Sequence, residues 1–182
     1  MSKIIYNIYS LCYHISEVIR VRILGIDPGY GLIGFGVLDK LTNGLKIIDY
    51  GAISTPKEKT LNERLHIIYD SMNALLDKFQ PEAMAIEKLY WGRNITTAIP
   101  VAEARGVILL AVQQRGIPIY EYTPLQVKSA LVGTAKADKR QVQFMVKTIL
   151  GLQKIPRPDD AADAVAMAIC HSQTNQRLRE LK

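Results

Sequence analysis

The pattern of apolar and polar positions predicts three strands in the first third of the chain. A short apolar run over about residues 22–27 ends in Asp27 and a Pro-Gly turn, which is typical of a strand buried on both faces. A second apolar segment covers about residues 33–39. The pair Asn43-Gly44 predicts a hairpin turn into a third strand over about residues 45–54, so that these strands pair antiparallel.

Later in the chain the pattern alternates between helices and strands. Apolar residues recur at helical spacing in five segments, about residues 61–79, 95–115, 124–131, 138–150 and 159–175. The apolar runs 83–87 and 117–122 predict two more strands, each reached through a helical crossover. The expected fold is therefore a mixed five-stranded α/β sheet, three strands antiparallel and two parallel, flanked by helices. Right-handed crossovers would place Asp27 and Glu87 at the same end of adjacent strands.

A second pair of acids begins the last predicted helix. Asp160 and Asp163 are three residues apart and so share one helix face, whereas capping of the helix N-terminus explains Asp159. The alanines between them would let this helix pack closely on the sheet and bring both acids towards Asp27 and Glu87. Four clustered carboxylates need a cation, and oxygen ligands without a Cys/His cluster favour Mg²⁺, with Mn²⁺ as a substitute. The matching chemistry is phosphodiester hydrolysis with two metal ions.

The charge distribution favours an anionic partner. The net charge is +6, and residues 88–157 carry eleven Lys and Arg residues against three acidic ones. A regional excess of this kind is expected of a nucleic-acid-binding face, although a solvated surface is the alternative. The two cysteines form neither a disulfide framework nor a zinc motif, which suits a reducing compartment, and we expect a cytoplasmic protein. No apolar run approaches the length of a membrane span.

Residues 1–20 do not fit the pattern that follows. Polar residues interrupt their apolar positions, and no small-residue cleavage site of a secretory signal is present. A short amphipathic helix and an upstream-extended gene start, with Val21 near the true beginning, are the two explanations. We expect an appendage at 1–20, a nuclease domain at 21–175 and a C-terminal tail at 176–182.

Six motifs together resemble the RuvC family of bacterial Holliday junction resolvases. In chain order they are GIDPG (25–29), IEKLYWGRN (86–94), AEARGV (102–107), QVKSALVG (126–133), ADKRQVQ (137–143) and DDAADAVAMA (159–168). The resemblance covers about residues 21–171. It implies a ribonuclease-H-like fold, a homodimer, Mg²⁺ dependence with two ions per subunit, and symmetric nicking of four-way DNA junctions during recombination and repair.

The resemblance also implies which residues form the site. The four acids of the family fall on Asp27, Glu87, Asp160 and Asp163, and its two basic residues near the scissile phosphate fall on Lys128 and Lys139. Composition alone would make both lysines solvated helix residues. The family's aromatic residue after the fourth strand, usually Phe, is here Tyr90. Cations interleaved with aromatics suit unpaired bases, and the expected DNA contacts are Lys88, Tyr90, Arg93, Lys128, Lys136, Lys139 and Arg140.

The favoured hypothesis is thus a crossover junction endodeoxyribonuclease. Two alternatives stay open: a nuclease of the same fold that acts on another nucleic acid, such as an RNA–DNA hybrid, and a non-catalytic junction-binding module. The predicted helix at 96–115 is a candidate dimer surface, because Ala98, Val101, Ala102, Ile108 and Leu109 offer more apolar surface than one sheet face needs. Burial of that surface within the subunit is the competing explanation. A RuvA–RuvB branch-migration complex is a candidate partner. His66 and His171 are expected to pack or face solvent rather than bind metal.

Overall fold

A five-stranded sheet organises the molecule. The computed structural model describes residues 20–89 and 95–180, with side chains over 20–89 and 98–174. The strands are β1 (Val21–Asp27), β2 (Leu32–Leu41), β3 (Gly44–Ser54), β4 (Ala83–Glu87) and β5 (Ile119–Tyr122), arranged in the order β3-β2-β1-β4-β5. The helices in the described residues are α1 (Leu61–Phe79), α2 (Ile95–Gln113), α3 (Pro124–Val132), α4 (Lys139–Ile149) and α5 (Asp159–Glu180).

The strand pairing confirms the predicted fold class. β1 pairs antiparallel with β2, and β2 with β3, whereas β4 runs parallel to both β1 and β5. The predicted hairpin is present, but its two-residue loop is Thr42–Asn43. Gly44 already pairs with Leu41 and has a φ of 137°, a value that residues with a Cβ rarely adopt.

Capping residues determine where the helices near the sheet ends begin. Thr60 and Glu63 form a reciprocal capping box at the start of α1, in which the Glu63 side chain accepts a 2.9 Å bond from the Thr60 N–H. Asp138 and Gln141 form the same arrangement at α4, with two 2.8 Å bonds. Because Asp138 caps α4, Lys139 is the first residue of the helix, and the cap fixes the backbone from which its side chain extends.

The sheet separates two hydrophobic cores. One lies under α1 and α2 and contains Leu24, Ile26, Met84 and Ile86, all fully buried. The other lies under α5, with α3 and α4 packed outside it, and contains Ile23 and Ala85. Successive strand residues point to opposite faces, so the alternation in β1 and β4 assigns Asp27 and Glu87 to the α5 face.

Some expected boundaries and orientations differ from the structure. β5 begins at Ile119 rather than residue 117, and α5 continues to Glu180, five residues beyond its predicted end. Ile108, predicted as part of an apolar surface for dimerisation, is fully buried in the α1–α2 core. Among the side chains described in α2, the large apolar ones that are exposed are Ile99 and Leu110, each about half accessible.

Several predictions concern residues outside the described part. The appendage is outside it except for Arg20, whose guanidinium lies 3.6 Å from the Asp39 carboxylate of β2. Tyr90 and Arg93 are outside it too, so the division into appendage, nuclease domain and tail stays a prediction. None of the described helices combines the length and hydropathy that a bilayer crossing requires.

Candidate active site

Two of the predicted site acids lie at the ends of the central parallel strands. Asp27 is the last residue of β1 and Glu87 the last of β4, and the preceding residues Ile26 and Ile86 are register partners. Both acids follow the same alternation, so their side chains emerge on the α5 face at one end of the sheet. The prediction that the crossovers bring these strand ends together is confirmed.

Glycines in the sheet let α5 approach so closely that its first turn reaches these acids. Gly34 is the β2 partner of Asp27, and a Cβ on Gly34 would lie 2.0 Å from the backbone oxygen of Asp160. A Cβ on Gly25 would lie 2.0 Å from the backbone oxygen of Ala164. Side chains at these positions would therefore push the helix away. With glycine there, the Asp160 backbone rests directly on β2 beside Asp27, and Asp163 follows one turn later.

The carboxyl groups raise one another's proton affinity. The pKa of Asp27 is raised to about 7, first by burial and then by the charges of Asp163, Glu87 and Asp160. Burial also raises the pKa of Glu87, with Asp163 as the second cause. Both shifts follow from placing several negative charges in a partly desolvated site. The site thus carries a surplus of negative charge at the sheet end.

Lys139 partly offsets this surplus. Its ammonium nitrogen lies 2.9 Å from an Asp163 carboxylate oxygen and 3.6 Å from Asp159, and the bond to Asp163 raises the pKa of Lys139. Lys139 and Lys128 also line, with Glu87 and Asp163, a cleft of about 210 Å³ whose remaining walls are apolar. Asp159, expected to cap α5, is instead the first helical residue, and its carboxylate pairs with Arg157 and Lys139.

The donor chemistry of this cluster fits a hard divalent cation. All four acids offer oxygen, the ligand that Mg²⁺ and Mn²⁺ prefer, and a bound cation would offset the burial and the neighbouring negative charges that raise the pKa of Asp27. As the side chains stand, the described part of the chain has no group of three or more His, Cys, Asp or Glu residues positioned around a single ion.

The other predicted DNA contacts have different outcomes. Lys88, Lys136 and Arg140 are exposed; Lys88 directly follows Glu87, Lys136 lies in the turn before α4, and Arg140 lies in the first turn of α4. Neither Tyr90 nor Arg93 lies in the described residues.

His171 is buried, as expected of a packing residue, and its Nδ1 lies 2.8 Å from the Tyr122 hydroxyl. His66 is exposed and pairs with Asp70 at 3.4 Å.

One polar contact at the site was not singled out in the sequence. Arg105 of α2 donates a 3.3 Å hydrogen bond from Nε to the backbone oxygen of Glu87, and its guanidinium pairs with Glu121 of β5. The available signal was an arginine within the AEARGV motif of an otherwise apolar helix. The hydrophobic pattern did not indicate that the Arg105 side chain would reach the end of β4.

The sheet order and the acids at its central strand ends define a nuclease of the ribonuclease-H-like class. The family model described as "Crossover junction endodeoxyribonuclease RuvC" matches residues 23–171, and the chain belongs to this RuvC family of metal-dependent endonucleases. The resemblance stated from the six motifs is thereby confirmed.

Individual relatives agree over nearly their whole lengths. The chain is 51% identical to the Finegoldia magna RuvC over 151 residues, which are 83% of this chain and 92% of the relative. It is 53% identical to the Thermosipho melanesiensis RuvC over 150 residues, 82% of this chain and 96% of the relative. Among solved structures, the chain is similar to Thermus thermophilus RuvC, with 34% identity and a TM-score of 0.78. The match covers 86% of this chain and 96% of that chain. That protein has also been solved in complex with a Holliday junction substrate.

Proposed function

We propose that this chain resolves four-way (Holliday) DNA junctions by symmetric, metal-dependent phosphodiester hydrolysis during recombination and repair. The observation that carries the proposal is the cleft at the sheet end, which two carboxylates, Glu87 and Asp163, share with the ammonium groups of Lys128 and Lys139. Acids that can hold cations beside fixed positive charges suit a phosphate diester better than a neutral substrate. Its relative from Thermus thermophilus has been solved with such a junction.

The acids Asp27, Glu87, Asp160 and Asp163 would hold the metal, which we propose to be two Mg²⁺ ions per subunit, with Mn²⁺ able to substitute. When bound, these ions supply an activated water and stabilise the leaving 3′-oxygen. The protein residues align the ions and the phosphate, and no covalent intermediate with the protein is required.

The two lysines would act on the phosphate itself. Lys139 begins α4 with its ammonium next to Asp163, and Lys128 lines the same cleft from α3. A phosphate that enters the cleft would therefore meet two cations, which offset the charge that develops on its oxygens. The exposed Lys88, Lys136 and Arg140, together with Tyr90 and Arg93, are the proposed contacts to the flanking DNA strands.

The proposed active species is a homodimer. Resolution of a four-way junction needs two cuts on strands of like polarity, one chain contributes one acid cluster, and a C₂ dimer matches the approximate symmetry of the junction. The exposed Ile99 and Leu110 make α2 the proposed contact surface. We expect Leu110→Glu to yield monomers in sedimentation that nick one strand but lose paired cutting, whereas Lys46→Glu on the edge strand β3 leaves both unchanged. Monomeric wild-type protein that makes paired symmetric cuts would contradict the dimer.

The decisive experiment compares Mg²⁺-dependent cleavage of a four-way junction, a linear duplex of the same sequence and an RNA–DNA hybrid. We expect symmetric nicks in the junction and little cleavage of the other two substrates. Preferential cleavage of the hybrid would support the alternative nuclease, and tight junction binding without cleavage would support a non-catalytic module. Cooperation with a RuvA–RuvB complex and cytoplasmic localisation remain further proposals, supported by family membership and by the reducing-compartment cysteine usage.

A further inference from the structure

We infer that Arg105 is a positioning residue that holds the backbone of Glu87, and through it the acid cluster, from the opposite face of the sheet. The inference rests on the proposed function, because it assigns Arg105 to the same site. Its starting point is the pair of contacts that the guanidinium makes: one to the Glu87 backbone oxygen at 3.3 Å and one to the carboxylate of Glu121.

The location of Arg105 separates it from the groups that would contact DNA or metal. The Glu87 side chain lies on the α5 face of the sheet, where it lines the cleft with Asp163 and Lys139. Arg105 approaches from α2, on the other side of the sheet, and its side chain is only 13% exposed. It therefore contacts the main chain of Glu87 without competing for the carboxylate.

The end of β4 is held from two sides. Glu87 is the last residue of the strand, and the next peptide is fixed on one side by the 2.8 Å bond from the Lys88 N–H to the Tyr122 oxygen. On the other side, the Arg105 guanidinium donates a charge-assisted bond to the Glu87 oxygen. Glu121 in turn orients the guanidinium, because a planar fork bonded at two of its nitrogens cannot rotate freely.

This arrangement also links the site to the proposed dimer surface. Arg105 lies on the same helix as the exposed Ile99 and Leu110, so one rigid element carries both the subunit contact and the support of Glu87. A shift of α2 would be transmitted to the end of β4 through two hydrogen-bonded groups. Partners that orient a metal ligand typically change metal affinity or activity by about 10- to 100-fold when they are removed.

The test compares Arg105→Gln, Arg105→Lys and Glu121→Gln with a matched control, Arg115→Gln. Arg115 lies just beyond the end of the same helix and pairs with Asp77, away from the acid cluster. For each variant, Mn²⁺ binding is measured without DNA from the spin-resonance signal of the free ion, and junction affinity is measured in EDTA. Cleavage rate against Mg²⁺ concentration and thermal unfolding complete the comparison.

We expect Arg105→Gln to weaken Mn²⁺ binding and to slow cleavage by about 10- to 100-fold, with junction affinity in EDTA within about 2-fold of wild type. Arg105→Lys and Glu121→Gln should fall in between, and raising Mg²⁺ should recover part of their rate. Wild-type Mn²⁺ binding by Arg105→Gln, or losses equal to those of Arg115→Gln, would overturn the inference. If Arg105→Gln does not fold, wild-type Mn²⁺ affinity in the two milder variants overturns it. A wild-type protein that binds Mn²⁺ but cleaves no junction would refute the proposed function alone.

Discussion

The two faces of the sheet are built on different principles. On the α1–α2 face, large side chains such as Leu24, Ile33 and Met72 fill the space between sheet and helices. On the α5 face, the glycines of β1 and β2 lie against the backbone of a helix rich in alanine, and Val165 packs directly over Gly36. At the glycines the α5 interface is therefore spaced by main-chain atoms, whereas the α1–α2 interface is spaced by side chains.

This difference has a functional consequence. Side chains in a core can repack when one of them changes volume, so the α1–α2 face can absorb small alterations. Main-chain atoms in contact have no such freedom, so the height of α5 above the sheet is fixed. That height sets the distance from Asp160 and Asp163 to Asp27. The close-packed α5 face thus holds the acids at the accurate spacing that catalysis requires, and the α1–α2 core provides stability.

The largest expected effect is on turnover when an acid on the α5 face is neutralised. Glu87→Gln should reduce junction cleavage by at least about 10³-fold, because a proposed metal ligand is removed. Junction affinity should persist, since it comes mainly from neutralised phosphates. Asp77→Asn, an exposed change on α1 of the other face, is the control and should cleave within about 2-fold of wild type. Full turnover by Glu87→Gln in Mg²⁺ would show that the metal-site assignment is wrong.

The second prediction concerns neighbouring β2 residues that face opposite cores. Gly34→Ala places a methyl group 2.0 Å from the Asp160 oxygen, so α5 must move. We expect cleavage to fall by about 10²-fold and stability by about 1–3 kcal/mol. Ile33→Val in the α1–α2 core should cost about 1 kcal/mol and leave the rate near wild type. Urea unfolding and single-turnover cleavage measure both quantities. Equal rate losses in the two variants would contradict the distinction between the faces.

The sequence was sufficient to predict the architecture and the positions of the four acids on strand ends and on one helix face, because each rests on a local signal. Apolar runs ending in a carboxylate marked the ends of β1 and β4, and the spacing of Asp160 and Asp163 marked one helix face. Both signals lie in residues that are close together in the sequence. The adjacent position of β1 and β4 then followed from the general handedness of crossovers.

Other features depended on contacts between distant segments and could not be predicted. Ile108 belongs to a helix that is apolar nearly all round, so the sequence did not indicate which side would face the sheet. The ion pair between Lys139 and Asp163 joins the starts of α4 and α5, and its geometry depends on how these helices pack. The bond from Arg105 to the Glu87 oxygen ends on a main-chain atom, which carries no residue-specific signal.

The third prediction uses the raised pKa of Asp27. Because this pKa is about 7 in the folded protein and about 4 in an unfolded chain, folding takes up a proton between these values. The contribution of Asp27 to the stability of the metal-free protein therefore falls as the pH rises from about 4 to 7. Asp27→Asn removes this penalty, so in EDTA at pH 8 we expect it to be more stable than wild type by about 2 kcal/mol.

The comparison is made by urea unfolding at pH 8 and again at pH 5, where most of the folded Asp27 carboxyl is protonated and the gain should fall to about a third of its value at pH 8. His171 contributes the opposite dependence over about pH 4 to 6.5, since burial lowers its pKa to about 4, but it is common to both proteins and cancels in the difference. Asp77→Asn should show no gain at pH 8, because its carboxyl is stabilised by Arg115. A less stable Asp27→Asn variant at pH 8 would mean that the carboxylates do not repel one another as described.

The smallest expected effect is that of a single lysine at the edge of the α5 face. Lys128 lines the cleft from α3, whereas Lys46 is exposed on β3 at the far edge of the sheet. Lys128→Ala should slow cleavage by about 10-fold, and the slope of log binding constant against log salt should fall by about one. Stability should change little, since an accessible lysine contributes little to folding. Lys46→Ala should alter neither rate nor salt slope. A large shift in the unfolding temperature of Lys128→Ala, with an unchanged rate, would make this lysine structural and leave Lys139 as the single cation that acts on the phosphate in the cleft.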